Sequence, residues 1–145
     1  MYLYYYMNIA VIGSGGREHS VCFKLKQSKK VKKIFCIPGN AGTSTIAENI
    51  NIDVLNFKSI SDFLSNNNIK IVFVGPEVPL VNGIKDYLEK KDFFVFGPSK
   101  AASRLEKSKS FTKQLCKKYK IPTAQYKSFS NMKGVKEYIK KMNAP

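Results

Sequence analysis

The chain has 145 residues, 43% of them hydrophobic, with 25 Lys plus Arg against 10 Asp plus Glu and a formal net charge of +15. That length supports one buried core plus an appendage. The mean hydropathy of −0.25, with no apolar run near the ~18–20 residues of a membrane-spanning helix, argues against a membrane protein.

Cys22, Cys36 and Cys116 are isolated, with no C-x-x-C pair. They suit core packing in a reducing, cytoplasmic setting better than disulfides or a metal site. The cations are almost all lysines, spread in pairs such as Lys29-Lys30 and Lys117-Lys118, and Arg17 and Arg104 are the only arginines. Base readout and bidentate phosphate clamps favour arginine. A solvated lysine surface is therefore the simpler reading, and a basic nucleic-acid-binding module is the alternative. Residues 1–6 lack the basic start and the cleavage site of a signal peptide; since Met7 directly precedes the first strand, they read as a leader.

Ile9 to Ile12 form an apolar run that predicts a buried strand, broken at Gly13. Gly13, Ser14, Gly15 and Gly16 then open a helix over about 16–27, with Val21, Cys22 and Leu25 on its apolar face. A strand ending in such a turn leaves backbone N–H groups unpaired at a helix N-terminus, an arrangement suited to phosphate. A dinucleotide fold would place glycine at all three positions of G-x-G-x-x-G. Here the third position is Glu18, and no acidic residue stands about twenty positions on, so nicotinamide-dinucleotide binding is kept as an alternative, beside a tight turn with no ligand.

Lys33 to Ile37 predict a second strand, stopped by Pro38-Gly39, and a polar loop follows from Asn40 to Thr45. Ile60, Phe63 and Leu64 mark a helix ending at Asn66–Asn68. Ile69–Val74 is a third strand, ended by Gly75-Pro76. Val81, Ile84 and Leu88 recur at helical spacing, and Phe93–Phe96 make a fourth strand, ended by Gly97-Pro98. Short strands without polar alternation, separated by amphipathic helices, predict an α/β fold with a parallel sheet covered on both faces. In such a sheet the glycine-bearing strand ends share the edge where ligands bind. Beyond Gly97, Leu105, Phe111, Leu115 and Tyr119 suit one helix beginning near Ser103 or Lys107 and closed by Ile121-Pro122-Thr123. Gln125–Phe129 resemble a short strand, and Val135, Tyr138, Ile139 and Met142 mark a last helix. Residues 7–102 thus read as one domain and 103–145 as the start of a second, cut short.

Four motifs in order carry a family likeness: Gly13-Ser-Gly-Gly-Arg-Glu-His19, Pro38-Gly-Asn-Ala-Gly-Thr43, Val74-Gly-Pro-Glu-Val-Pro-Leu80 with Gly83, and Phe96-Gly-Pro98. Glu106–Lys113 and Ile121-Pro-Thr-Ala124 follow in their expected places. Together, from about Met7 to Pro145, they resemble the phosphoribosylamine–glycine ligase (glycinamide ribonucleotide synthetase) family, ATP-grasp enzymes of purine biosynthesis. The resemblance implies a Rossmann-like substrate-binding domain followed by an ATP-grasp domain. It also implies amide formation between glycine and phosphoribosylamine through glycyl phosphate, with ATP and Mg²⁺ as cofactors.

On that likeness the backbone of Gly13, Ser14, Gly15, Gly16 and Arg17 cradles the 5′-phosphate, with Arg17 either a charge partner or paired to Glu18 or Glu77. Asn40, Ala41 and Gly42 approach the same phosphoribosyl group. Gly75 and Pro76 shape the loop that presents Glu77 to ribose hydroxyls, and Lys109 faces ATP. His19 reads as a packing or hydrogen-bonding residue at the helix start. No catalytic or metal-ligating residue is assigned. The glycine-rich ATP loop and acidic metal ligands of the family lie downstream of Pro145, so this chain is expected to be inactive without the remaining ATP-grasp portion.

Overall fold

A computed structural model describes residues 6–142, which fall into two compact units, one running through Lys107 and the other starting at Ser108. Most of the expected leader, residues 1–5, lies outside the described residues.

The first unit contains five strands, β1 (Met7–Gly13), β2 (Val31–Pro38), β3 (Glu48–Asn49), β4 (Ile69–Val74) and β5 (Phe94–Phe96). They lie in the order β3-β2-β1-β4-β5, and every neighbouring pair is parallel. Five helices belong with them: α1 (Gly16–Lys26), α2 (Phe57–Asn66), α3 (Glu77–Asn82), α4 (Ile84–Glu89) and α5 (Lys100–Lys107). This is the Rossmann-like α/β sheet the sequence predicts.

The central strand shows why the strands carry no polar alternation. Ala10 and Ile12 point to one face, where they meet Ile60 and Leu64 of α2 and Ile84 and Leu88 of α4. Val11 points to the other, against Cys22 of α1 and Ile34 and Cys36 of β2. Successive side chains face opposite ways, and both faces are covered, so each position must be apolar. At the far side of the sheet this covering stops: Phe94 and Phe96 of β5 are 67% and 63% exposed, and the Phe96 ring stacks on Phe73 at 5.2 Å.

Several local expectations are corrected. Val81, Ile84 and Leu88 do not share one helix, because Gly83 takes φ +96° between α3 and α4. Its N–H donates to Leu80 O at 3.0 Å and closes α3 in the way left-handed glycines end helices. Leu105 to Tyr119 are likewise divided, between α5 and α6 (Lys109–Lys118). The Ser108 hydroxyl accepts from Phe111 N at 3.2 Å, and this cap starts a new helix where a single one was expected. Residues 125–129 form no strand and meet no neighbouring strand to pair with among the described residues. A short 3₁₀ turn (Thr43–Thr45) and the two-residue β3 are too brief to leave a periodic trace. The last helix, α7 (Val135–Lys141), forms as expected in the second unit.

Cys22 and Cys36, isolated in sequence, meet beneath α1. Both are fully buried, and the Cys36 thiol reaches Gly13 O at 3.5 Å. The hydrogen bond between the two side chains, followed by burial, pushes the Cys22 thiol far above its ordinary range. Thiolate is the reactive form. The same hydrogen bond shifts Cys36 the other way, downward, but both thiols are sealed from solvent, so a thiol-alkylating reagent at pH 8 should modify half-buried Cys116 first and reach Cys22 and Cys36 only in denaturant. Mass spectrometry of the labelled native protein checks this, and early labelling of either buried thiol would contradict the packing.

Candidate functional site

Chain order reverses between β1 and β4, since β2 and β3 lie on one side of β1 and β4 and β5 on the other. In open α/β sheets the crevice at such a reversal, beyond the carboxyl ends of the strands, is where ligands bind. Three loops meet there. Gly39 N donates to Gly13 O at 3.1 Å, and Gly75 N donates to Ile12 O at 3.1 Å, so the loops after β2 and β4 are both hooked onto the end of β1.

The loop after β1 has Gly13 at φ +131° and Gly15 as the residue before α1. Gly15 N turns inward and donates to Glu18 Oε2 at 2.6 Å. The N–H groups of Ser14, Gly16 and Arg17 have no protein acceptor among the described residues. They stand at the positive end of an eleven-residue helix, which favours an anion. A Cβ at Gly16 would meet nothing within 4 Å, so the space before the loop is open. Arg17 is exposed and forms no ion pair among the described residues; the expected alternative, a bond to Glu18 or Glu77, is not made.

Asn40 is built into the loop assembly. Its amide nitrogen donates to Ser14 O at 2.7 Å and Gly15 O at 3.3 Å, while its Oδ1 accepts from Thr43 N at 2.9 Å. The Thr43 hydroxyl, fully buried, accepts from Asn40 N and donates to Asn49 Oδ1, both at 2.7 Å. The Asn49 side chain in turn donates to Asn40 O at 2.7 Å. Gly39, at φ +77°, must lack a side chain because a Cβ would run into the Asn49 amide. With its polar atoms engaged, Asn40 holds the first loop in place, and the N–H groups of Ala41 and Gly42 have no protein acceptor among the described residues. The His19 ring lies about 3.5 Å from where a Gly42 Cβ would be, a packing role.

Glu77, the first residue of α3, is exposed and has no partner among the described residues. Its neighbours Pro76, Val78 and Pro79 form one wall of a cleft of about 620 Å³ whose floor is Gly13, Ser14, Gly15 and Arg17. Asn40 touches Ser14, and Glu77 follows the cleft-lining Pro76, so the three stand at one edge, although Asn40 and Glu77 are not themselves among the residues lining the cleft. Lys109 is the first residue of α6, in the second unit. The opposite wall of the cleft is Asn51, Ile52, Asp53 and Val54, which sequence reasoning missed. It also missed the structural roles of Thr43 and Asn49. The only available signal was the density of Asn and Thr between Asn40 and Asn51, residue types that bond to their own backbone.

Residues 7–106 match the family described as Phosphoribosylglycinamide synthetase, N domain, and residues 107–145 match Phosphoribosylglycinamide synthetase, ATP-grasp (A) domain. The chain belongs to the phosphoribosylglycinamide synthetase family. The phosphoribosylamine–glycine ligase of Caldanaerobacter subterraneus is 46% identical over 134 residues, which are 92% of this chain and 32% of that protein. That of Pseudomonas syringae is 45% identical over 141 residues, 96% of this chain and 32% of that protein. The crystal structure of phosphoribosylamine–glycine ligase from Thermotoga maritima superposes with a TM-score of 0.64 at 27% identity, covering 93% of this chain and 30% of that one. The chain therefore spans about a third of the length of these relatives. All three strand-end loops fall within the N-domain match, and Lys109 falls within the ATP-grasp match. No helix among the described residues is long and apolar enough to cross a membrane.

Replacing the buried Thr43 hydroxyl leaves Asn40 N and Asn49 Oδ1 without their partner. Thr43→Val should lower stability by about 1–3 kcal/mol, the usual result of an unsatisfied buried group. Chemical denaturation checks this, and an unchanged midpoint would mean that the hydroxyl does not bind the loop together.

Proposed function

We propose that this chain supplies the phosphoribosyl-binding portion of a phosphoribosylamine–glycine ligase of de novo purine biosynthesis. One observation carries the reading: Ser14 and Arg17, whose N–H groups have no protein acceptor among the described residues, line an open cleft where the chain order of the sheet reverses, with the equally free N–H of Gly16 between them in the loop. A 5′-phosphate fits these donors and the dipole of α1. The Arg17 guanidinium, exposed and unpaired, adds charge neutralisation. Ala41 and Gly42 offer further backbone donors beside it. Glu77, on the opposite loop, accepts from ribose hydroxyls with both oxygens available, while Pro76 and Gly75 fix its approach.

In this reading ATP phosphorylates the carboxylate of glycine to glycyl phosphate, and the substrate amine then displaces phosphate to give the amide. A free carboxylate has no good leaving group, so activation must precede attack. The residues of this chain hold the sugar phosphate so that the amine is aimed at the activated carbonyl, a contribution through positioning. No group of three or more His, Cys, Asp and Glu side chains that could hold a metal occurs among the described residues. Mg²⁺ and most ATP contacts are assigned in this reading to the part of the ATP-grasp region that the longer relatives carry beyond the span matched here, with Lys109 at its near end. The partners are then small-molecule substrates and that remaining portion, in a cytoplasmic enzyme.

Ribose 5-phosphate, a stable mimic, should perturb the amide resonances of residues 14–17 on titration. Arg17→Glu should weaken binding by about tenfold or more, as expected when an attractive charge becomes repulsive beside an anion. If the titration moves no resonance of the three loops, the reading fails. The 145-residue chain alone should show no ATP hydrolysis dependent on glycine and phosphoribosylamine. A phosphate-release assay decides that, and measurable turnover would overturn the division of labour.

A further inference from the structure

Glu18 sits where a dinucleotide fold has its third glycine, yet it is 3% exposed, and its environment is unusual for a carboxyl group. Three glycines from two loops surround it. A Cβ at Gly13 would lie 2.7 Å from Glu18 Cγ and Cδ, and one at Gly15 would lie 2.9 Å from Oε2. A Cβ at Gly75, more than fifty residues along the chain, would run into Oε1. Oε2 accepts from Gly15 N at 2.6 Å, whereas Oε1 is buried with no hydrogen-bond partner. Leaving a buried oxygen unpaired is unfavourable, so hydrogen bonding within α1 does not by itself account for a carboxyl group here.

We propose that Glu18 is a positioning residue whose carboxyl group latches the loop after β1 to the loop after β4. By drawing Gly15 N inward it leaves the neighbouring N–H groups of Ser14, Gly16 and Arg17 directed outward. By filling the space against Gly75 it sets how closely the Pro76–Glu77 segment approaches them. Gly75 is a glycine because the latch needs that room, which is a different requirement from close approach of a ligand; Gly13 needs glycine both for that room and for its φ of +131°. The ligand in this inference rests on the phosphoribosyl reading, but the latch itself does not.

The test combines Glu18→Gln, Glu18→Ala, Gly75→Ala and the double variant E18A/G75A, followed by backbone NMR, thermal unfolding and ribose 5-phosphate titration. Glu18→Ala should move the Gly15 amide resonance, reduce its protection from hydrogen exchange, and propagate shifts to residues 75–78. Gly75→Ala should be strongly destabilising in the parent chain and nearly neutral in the E18A background, where its clash is gone. Glu18→Gln keeps the shape and one acceptor. It should stay folded, move the Gly15 amide, and bind ribose 5-phosphate within a few fold of the parent, while Glu18→Ala, measured well below its melting temperature, weakens binding by about tenfold. A Glu18 that only packs would lower the melting temperature without this loss of affinity in the folded protein.

Should Glu18→Ala fail to fold, the Gly15 and Gly75–Val78 resonances in Glu18→Gln and the stability of Gly75→Ala carry the test. The latch is refuted if residues 75–78 do not respond to any change at Glu18, or if Gly75→Ala is equally damaging with and without Glu18. It is also refuted if affinity is unchanged in folded Glu18→Ala. If the parent chain binds no ribose 5-phosphate, the functional reading falls, while the resonances and the double-variant stability still decide the latch.

Discussion

Two backbone hydrogen bonds, Gly75 N to Ile12 O and Gly39 N to Gly13 O, set the geometry on which the carboxyl edge of the sheet depends. They continue the parallel ladders of β1 with β4 and β2 one step past the strands, at the point where the chain turns away into helices. Loops fastened in this way inherit the fixed spacing of a sheet, roughly 4.8 Å between neighbouring strands. Three loops therefore share one small volume without a long segment having to fold over to reach it. Side chains are admitted only where glycines make room, which is why the edge is rich in glycine and why Glu18 is notable there.

Behind this edge, polar groups are satisfied within a small closed set. Asn40, Thr43 and Asn49 exchange hydrogen bonds among themselves and with the β1 loop, and each replaces a water contact that the buried backbone has lost. The arrangement separates two tasks. Side chains behind the loops hold the backbone in place, while the backbone itself, through N–H groups with no internal acceptor, faces the cleft. Recognition by backbone donors is insensitive to side-chain motion and suits an anion that must be held without being chemically altered.

Much of this was legible in the sequence. The strands were visible because both faces of the sheet are covered, so Ile9–Ile12 and Ile69–Val74 are unbroken apolar runs, and the glycine turns marked where each one ended. The convergence of Ser14, Asn40 and Glu77 followed from parallel topology alone. The misses have local causes. Gly83 and Ser108 break helices whose apolar spacing continues across the break, and periodicity does not detect a cap. Gln125–Phe129, which read as a short strand, find no strand to pair with among the described residues. The wall at Asn51–Val54 is irregular backbone, positioned by tertiary contacts that leave no periodic signature, and Glu18 read as a disqualified glycine because its cradle is assembled from residues distant in sequence.

The uncovered aromatic face of β5 has a consequence for colloidal behaviour. Phe94 and Phe96 present apolar rings to water on an edge strand only three residues long, too short to be an effective template for strand addition. Encounters between molecules through that face are opposed by a formal charge of +15, a repulsion that reaches about 10 Å at 0.1 M salt and about 3 Å at 1 M. Concentrated sulfate or phosphate therefore removes the lysines' long-range repulsion and at the same time strengthens the attraction between the bare rings.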